Sequence, residues 1–359
     1  MASFNDTYSQ ARDQFVAAAT RAGGVCETIS HPERGPDGGT LSTDVAWLGP
    51  RDAARVLVTL SATHGVEGFA GSGSQIDWLE RGEAARLPKG VAALLIHAIN
   101  PYGFAWLRRV THENVDLNRN WIDFNGPPPS NTHYDELADA ICPVEWFGEG
   151  RVRGDQALAA DAARNGAAAL QKALSGGQYS HPNGIFYGGT APTWSRRTQE
   201  RISAEYLTQA AKVAIIDFHT GLGPSGFGER IVTVPRDSGG FERAARWYGN
   251  GLMSPYDGTS ASAPIVGDGL SATVPLLPRA EVTSMALEFG TEPLQFVLEA
   301  LRADTWLHTH GDVDSPAGRA IKAQIRSAFY SDTPHWQGMI VAQALLACRQ
   351  AASGLAETP

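Results

Sequence analysis

The sequence predicts an α/β fold: a doubly wound, mixed but mostly parallel sheet with helices on both faces. First, four segments rich in β-branched residues are mostly apolar along their whole length. A half-exposed strand would alternate apolar and polar residues, so we interpret these segments as buried strands. Second, segments with helix and turn signals separate them, which is the alternation that builds parallel sheets. Third, a polar group lies at or just past the carboxyl end of each segment, where open α/β sheets bind ligands. The segments span about residues 55–63, 91–99, 213–221 and 284–290, and the polar groups are His64 with Glu67, Asn100, His219 and Glu288.

Helix start and stop signals place the other elements. A helix is predicted over about 5–22, because apolar residues recur on one face and Gly23-Gly24 ends the run. Near the end of the chain, Glu292-Pro293, Ser315-Pro316 and Thr333-Pro334 are cap-then-proline starts of helices. In chain order, the remaining predictions are a strand at 41–48, helices at 71–81, 156–174 and 195–211, a strand at 231–234 and a helix at 239–253.

The chain reads as one domain over residues 1–359, because neither a polar linker nor an internal repeat divides it. The stretch at about 122–211 lies between two buried strands and is rich in loops, so we interpret it as an insertion. The stretch at about 292–354 is a helical C-terminal tail. A hydrophobic content of 43% supplies enough apolar material for one large core.

Charge and cysteine content narrow the class of protein. The formal net charge is −9 and there is no Lys/Arg block, which argues against nucleic-acid binding. The three cysteines, Cys26, Cys142 and Cys348, form no CxxC pattern, so a cysteine zinc site is not expected. Separate thiols fit a reducing cytoplasm, and we read neither a signal peptide nor an apolar run of the roughly 20 residues that span a bilayer. The sequence therefore predicts a cytoplasmic protein without a membrane partner.

Two histidines and a glutamate form a candidate metal site. His64-x-x-Glu67 follows one buried strand and His219 ends another, so they supply a His₂Glu set at one sheet edge. Zinc accepts this mixed set in hydrolytic sites and keeps one position open for a water molecule, which loses its proton more easily when bound. A further carboxylate must accept that proton and pass it to the leaving group, and Glu288 is the candidate.

The stretch between the second and third buried strands is dense in groups that bind anions or carbonyls. Arg109, with Arg108 as the alternative, is the candidate for stabilising a developing oxyanion, since adjacent residues of an extended segment cannot both point inward. Asn118 and Arg119 can bind a substrate carboxylate. Asp116 is expected to accept a hydrogen bond from a ligand histidine and fix its tautomer.

Taken in order, these motifs resemble the zinc carboxypeptidase (M14) superfamily, and more narrowly its bacterial branch of carboxypeptidase-like hydrolases of the DUF2817 type. The resemblance spans about residues 45–295 and rests on the motifs named above together with Asn100-Pro101-x-Gly103. It implies a zinc-carboxypeptidase-like fold, one Zn²⁺ per chain, a glutamate base, an arginine that polarises the scissile carbonyl and an Asn-Arg pair for a carboxylate. The tyrosine that covers the substrate in those enzymes has no matching motif, although Tyr256 lies in the corresponding inter-strand region.

Three functions remain open from the sequence. The first is a zinc-dependent amide or peptide hydrolase of the carboxypeptidase type, which acts on a small or short peptide substrate with a free carboxylate. The second is deacylation of N-acyl amino acids, as in the aspartoacylase and succinylglutamate desuccinylase relatives, because the Asn118-Arg119 pair serves both. The third is a non-catalytic metal-binding protein. The C-terminal helices are the expected surface if the chain forms a homo-oligomer.

Overall fold

An eight-stranded mixed sheet lies at the centre of the computed structural model, which describes residues 1–357. The strands are β1 (Val25–Arg34), β2 (Thr40–Leu48), β3 (Arg55–Leu60), β4 (Val91–His97), β5 (Lys212–Ser225), β6 (Gly228–Ile231), β7 (Leu252–Met253) and β8 (Glu281–Gly290). Their order is β1-β2-β4-β3-β5-β8-β6-β7. The four central strands are parallel to one another, whereas β1 and β2 on one side and β6 on the other run antiparallel to their inner neighbours.

Twelve helices surround the sheet in the described residues. They are α1 (Tyr8–Arg21), α2 (Gly68–Glu80), α3 (Pro101–Ala105), α4 (Thr132–Ile141), α5 (Glu149–Asn165), α6 (Ala167–Ser175), α7 (Trp194–Tyr206), α8 (Gly239–Tyr248), α9 (Gly269–Leu276), α10 (Leu294–His310), α11 (Pro316–Phe329) and α12 (Pro334–Ala356). Apolar residues of α1, α2, α8 and α12 share a core on one face of the sheet, and those of α7 and α9 share a core on the other. The predicted α/β fold with helices on both faces is therefore confirmed.

A third apolar cluster joins the helices that lie outside the two faces. It combines side chains of α4, α6, α10 and α11 with Val66, which follows β3. The predicted insertion at 122–211 contains α4 to α7, and the predicted C-terminal tail contains α10 to α12. Helices α4, α6, α10 and α11 thus share an apolar cluster with the turn that carries His64 and Glu67.

Several element boundaries differ from the sequence predictions. Strand β1 was not predicted, because only Ile29 and His31 of its ten residues are buried. The helix predicted at 156–174 is interrupted at Gly166, which has a left-handed φ of 91° and separates α5 from α6. Helix α9 lies in a stretch where the sequence predicts no helix, and its start is capped by the side chain of Asp268. The helices predicted at 195–211 and 239–253 end earlier, at Tyr206 and Tyr248.

Helix α12 corrects the expectation that no apolar run approaches membrane-spanning length. It is the single helix among residues 1–357 that is long and apolar enough to cross a membrane, by length and composition alone. Half of its most apolar stretch is buried, and α12 packs on α2, α8 and β5. A core helix of a globular domain meets the same criteria.

Candidate metal centre

The turn after β3 is fixed by contacts with the segment that follows α3. Residues 65–67 form a single 3-10 turn, and the N–H groups of Gly65 and Val66 donate to the carbonyl oxygens of Arg109 at 3.1 Å and Arg108 at 2.8 Å. Gly65 lies directly against Gly103, since a Cβ atom on Gly65 would come within 2.1 Å of the Gly103 carbonyl carbon. Backbone contacts alone therefore fix the position of this turn.

His64, Glu67 and His219 converge at the carboxyl edge of the sheet. In the parallel pairing of β3 with β5, Leu60 lies opposite Asp217, so His219 extends two residues past the last β3 residue and reaches the turn. The His64 and His219 Nδ1 atoms are 3.2 Å apart, and the Glu67 carboxylate oxygens lie 3.0 Å from the first and 3.1 Å from the second. One ligand atom from each residue falls within 4.8 Å of the others, and all three residues are buried. The structure thus brings together the three predicted ligands.

The chemistry of this donor set fits a zinc ion. Two imidazole nitrogens and a carboxylate face one point, which is the His₂Glu set of hydrolytic zinc sites. The remaining ring nitrogens face carboxylates: Asp116 Oδ1 is 3.2 Å from His64 Nε2, and Asp217 Oδ2 is 2.9 Å from His219 Nε2. For His219, such a carboxylate keeps the proton on the outer nitrogen and leaves Nδ1 free to bind metal, whereas His64 Nε2 lies near the Arg109 guanidinium as well as Asp116.

Asp217 is a site residue that the sequence analysis missed. It lies two positions before His219 on β5, and alternate residues of a strand share a face, so a charged residue within this apolar run was the available signal. Thr63 Oγ1 lies 2.9 Å from both Asp217 carboxylate oxygens and fixes their position. Asp116, which was predicted for this kind of contact, orients the other histidine.

Glu288 lies beside the ligands without joining them. It is the register partner of His219 on β8, it is 8% exposed, and its Oε1 accepts a hydrogen bond from the Leu222 N–H at 3.1 Å. Burial, followed by the negative charge of Glu67, raises the pKa of Glu288 to about 8. A cation held by the three ligands would oppose this rise, because nearby positive charge favours the carboxylate.

The two adjacent arginines point in different directions. Arg109 lines the centre, where its Nε donates to Asp116 Oδ2 at 2.9 Å and its Nη1 to Glu67 Oε1 at 3.1 Å. Its Nη2 lies 2.9 Å from His64 Nε2. Arg108 turns away and donates from Nε to Asp304 Oδ2 at 3.0 Å. Of the two sequence alternatives, Arg109 is the one placed at the centre.

Asn118 and Arg119 line the same cavity as His64, His219 and Glu288. The Asn118 side-chain oxygen accepts from the Gly269 N–H at 3.0 Å, which leaves the amide NH₂ free to donate. Arg119 donates from Nε to the Ser175 carbonyl at 3.2 Å and from Nη1 to its neighbour's carbonyl at 3.0 Å. Its Nη2 also donates to Ser175 at 2.5 Å, so two of the five guanidinium N–H groups remain free.

The rest of the cavity is mostly apolar and has two distinct walls. One wall comes from the sheet and the loop before β8, and the other from α10 and the end of α11. Tyr256 lies at the cavity and is 56% exposed, so it is available at the rim. Apolar side chains that line the cavity are Ile231, Ile265, Leu270 and Ala286 on the first wall, and Val297, Leu298, Leu301 and Phe329 on the second.

A sequence model of the family described as "Protein of unknown function (DUF2817)" matches residues 4–343. The chain belongs to the DUF2817 family. This confirms the narrower part of the resemblance found in the sequence. No curated protein matches this DUF2817 chain in sequence.

Solved structures similar to this DUF2817 protein have the carboxypeptidase-like fold. Bovine thrombin-activatable fibrinolysis inhibitor, in complex with tick carboxypeptidase inhibitor, is 11% identical, with 98% of this chain and 97% of that chain covered and a TM-score of 0.50. Carboxypeptidase A from Helicoverpa armigera is 13% identical, with coverages of 90% and 74% and a TM-score of 0.48. A succinylglutamate desuccinylase from Silicibacter sp. TM1040 is 13% identical, with coverages of 85% and 66% and a TM-score of 0.40. At such low identity the first of these likenesses establishes the fold and nothing further.

Proposed function

We propose that this protein is a zinc-dependent hydrolase of the metallocarboxypeptidase type, which cleaves an amide next to a free carboxylate. The observation that carries the proposal is the convergence of the His64, Glu67 and His219 ligand atoms within 4.8 Å, beside a cavity that Glu288 and Arg109 also line. A metal site, a separate carboxylate and a cation in one pocket are the groups that amide hydrolysis requires.

A zinc ion bound to the three ligands would supply Lewis-acid chemistry, by lowering the pKa of water and polarising a carbonyl oxygen. Glu288 accepts the proton of the attacking water and passes it to the amide nitrogen as the C–N bond breaks. Arg109 donates hydrogen bonds to the oxygen that becomes negative, from a guanidinium that Asp116 and Glu67 already orient. Because these groups are buried, their electrostatic contributions are only weakly screened by solvent.

The free carboxylate of the substrate is bound by Asn118 and Arg119. Both offer N–H donors that no described residue uses, and a guanidinium with two free donors matches the two oxygens of a carboxylate. The apolar walls of the cavity accommodate the side chains on either side of the cleaved bond. This arrangement supports exopeptidase-type cleavage at a chain end.

The same donors support the second candidate, deacylation of N-acyl amino acids. Such a substrate also places a free carboxylate next to its amide, so the Asn118 and Arg119 donors would bind it in the same way. The two candidates differ on the acyl side of the amide, where a peptide continues and a simple acyl group ends. Substrate comparison rather than site chemistry therefore separates them.

The experiment is a hydrolysis screen of the zinc-loaded protein with two matched sets, short peptides and N-acyl amino acids that end in the same residues. We expect turnover of peptides with a free C-terminus and none of their C-terminal amides. Turnover of acyl amino acids alone would replace the peptidase proposal with the deacylase. Tight zinc binding with no turnover of any amide or ester would favour the non-catalytic alternative.

Glu288→Gln tests the assignment of the base. We expect kcat/KM to fall at least about a hundredfold, because the amide cannot accept a proton, while zinc content stays unchanged. Glu83→Gln is the matched control, since Glu83 is equally buried but lies in a turn after α2 and pairs with Arg349. Normal turnover in Glu288→Gln would rule out this mechanism.

A further inference from the structure

A buried charge cluster lies outside the metal centre and is not used in the proposed reaction. Asp304 on α10 is 2% exposed, and its carboxylate accepts from Arg108 Nε at 3.0 Å and from Lys322 Nζ of α11 at 2.5 Å. His308 Nε2 lies 2.6 Å from the same Nζ, and burial lowers the pKa of His308 to about 3, so it is a neutral acceptor. Two cations therefore share one carboxylate in the interior.

The cluster forms hydrogen bonds with the segment at 107–109, which includes Arg109. Arg108 is anchored by Asp304 and also donates from Nη2 to Asn114 Oδ1 at 2.8 Å. Lys322 Nζ reaches the carbonyl oxygen of Leu107 at 3.4 Å. Leu107 has a φ of 52°, in the left-handed region that a branched residue adopts only when surrounding contacts hold it there. The strained backbone at this point is thus held by side chains of α10 and α11.

The same segment holds the metal-ligand turn from its other side. The carbonyl oxygens of Arg108 and Arg109 accept from the N–H groups of Val66 and Gly65, in the turn that carries His64 and Glu67. A continuous set of hydrogen bonds therefore runs from Asp304 through the Arg108 side chain and backbone to the ligand turn. The next residue along the segment, Arg109, enters the centre itself.

We propose that Asp304 is a positioning residue for the metal centre, which acts through Arg108 and Lys322 to hold both the ligand turn and Arg109. The catalytic part of this inference rests on the proposed function. Removing the Asp304 charge would leave two buried cations without a counter-ion, and the segment at 107–109 would shift to relieve them. Arg119 is held separately by the Ser175 carbonyl, so the carboxylate site would keep its geometry.

The test variant is Asp304→Asn, with Glu83→Gln as its control. Glu83 is 3% exposed and accepts from Arg349 and Arg86, so this control also removes a buried, arginine-paired carboxylate. Glu83 follows the 13-residue helix α2, whose other end adjoins the ligand turn. The length of this helix separates Glu83 from the turn by about 20 Å. The two variants thus make the same chemical change at different places.

Two readouts need no substrate. Hydrogen exchange of the peptide that contains Gly65 and Val66 is followed by mass spectrometry in the metal-free protein, and zinc affinity is measured by competition with a chelator. We expect faster exchange of that peptide and about tenfold weaker zinc binding in Asp304→Asn, with neither change in Glu83→Gln. With a hydrolysed substrate, kcat should fall while KM stays within about twofold, because Arg109 moves and Arg119 does not.

Wild-type exchange and zinc affinity in Asp304→Asn would overturn the proposal, as would equal changes in both variants, which would indicate a general loss of stability. Should Asp304→Asn fail to fold, Lys322→Gln gives the same readouts, because it removes the Lys322 contacts with Asp304 and with the Leu107 carbonyl oxygen. Failure of the wild-type protein to hydrolyse any amide would count against the proposed function alone, since exchange and zinc affinity are measured without substrate.

Discussion

Arg109 and Arg119 are both buried at the cavity, but their partners give them different tasks. Arg109 is bound by acidic side chains of the centre, whereas Arg119 is bound by backbone carbonyls and retains free donors. The Asp116 carboxylate lies 3.9 Å from Arg119 Nη1, beyond hydrogen-bond distance, so the free Arg119 donors stay available to a substrate anion. This difference supports the proposed roles, which are carboxylate binding by Arg119 and oxyanion stabilisation by Arg109.

Arg119→Lys should therefore affect substrate binding more than turnover. We expect KM for a substrate with a free carboxylate to rise about 10- to 100-fold, because a lysine ammonium cannot form the two-pronged contact. Steady-state kinetics on a free-acid peptide measures this change. Arg197→Lys serves as the control, because Arg197 is exposed and does not line the cavity. An unchanged KM would place the carboxylate site elsewhere.

His97 shows what burial does to a histidine that binds no metal. It is fully buried on β4, with its Nε2 2.9 Å from Ser72 Oγ and its ring stacked on Phe15. His97 is therefore a hydrogen-bonded core histidine. Burial lowers the pKa of His97 from 6.5 to about 4. The folded protein thus takes up this proton at lower pH than the unfolded chain does.

Folding stability should consequently fall as the pH drops from about 6.5 to about 4. In that range the unfolded chain protonates His97 and the folded protein does not, so the His97 contribution to the free energy of unfolding decreases by about 3 kcal/mol. Urea denaturation at pH 7 and pH 4 gives the free energy of unfolding at each pH. The loss between the two pH values should be larger in wild type than in His97→Gln, and the difference is the His97 contribution. The exposed His335→Gln should lose as much as wild type; equal losses in all three proteins would refute the assignment.

At the residue scale, the sequence predicted the three residues that converge, and it preferred Arg109 to Arg108 as the arginine beside them. His64, Glu67, His219 and Glu288 could be predicted because each is a polar residue at the end of an apolar strand. The direction of Arg108 depends on Asp304, which lies 196 positions further along the chain. Such a partner leaves no local pattern in the sequence.

The short turn after β3 is the element on which the site depends most. Its backbone is bonded to the segment at 108–109, and Gly65 contacts Gly103 so closely that no side chain fits between them. A small displacement of this turn would move His64 and Glu67 together. The turn thus couples close backbone packing to ligand geometry.

Gly65→Ala tests this coupling. A Cβ atom would lie 2.1 Å from the Gly103 carbonyl carbon, so the turn must shift; we expect a loss of about 2–3 kcal/mol in the free energy of unfolding and weaker zinc binding. Urea denaturation and chelator competition measure the two effects. Gly251→Ala is the control, because a Cβ atom there meets no atom within 4 Å. Unchanged zinc affinity in Gly65→Ala would show that the turn tolerates displacement.

At the element scale, the buried central strands were predictable and the edge elements were not. Strands β3, β4, β5 and β8 are mostly apolar and buried, because other elements cover both of their faces. Edge strand β1 has a mostly exposed pattern, and its register comes from pairing with β2. Helix α9 is only eight residues long and lies in a stretch rich in glycine, serine and proline, where periodicity is too short to read.

The whole molecule is organised so that distant parts of the sequence meet at one edge of the sheet. Parallel pairing of β3, β5 and β8 puts their carboxyl ends side by side, and residues 64, 219 and 288 come from those ends. Helices α10 and α11 add one wall of the cavity, and the loop before β8 adds another. The order of the motifs predicted this edge, whereas the cavity walls come from tertiary packing of the loop before β8 and the helical tail.

In the proposed metal centre, two residues of the turn after β3 and one residue of β5 bind one metal ion. Elemental analysis of the purified, zinc-exposed protein measures it most directly, with His219→Ala as the test variant and His335→Ala as the surface control. We expect about one zinc per chain in wild type and in the control, and almost none in His219→Ala. Absence of zinc from wild type, or a full equivalent retained in His219→Ala, would show that these residues do not form a metal site.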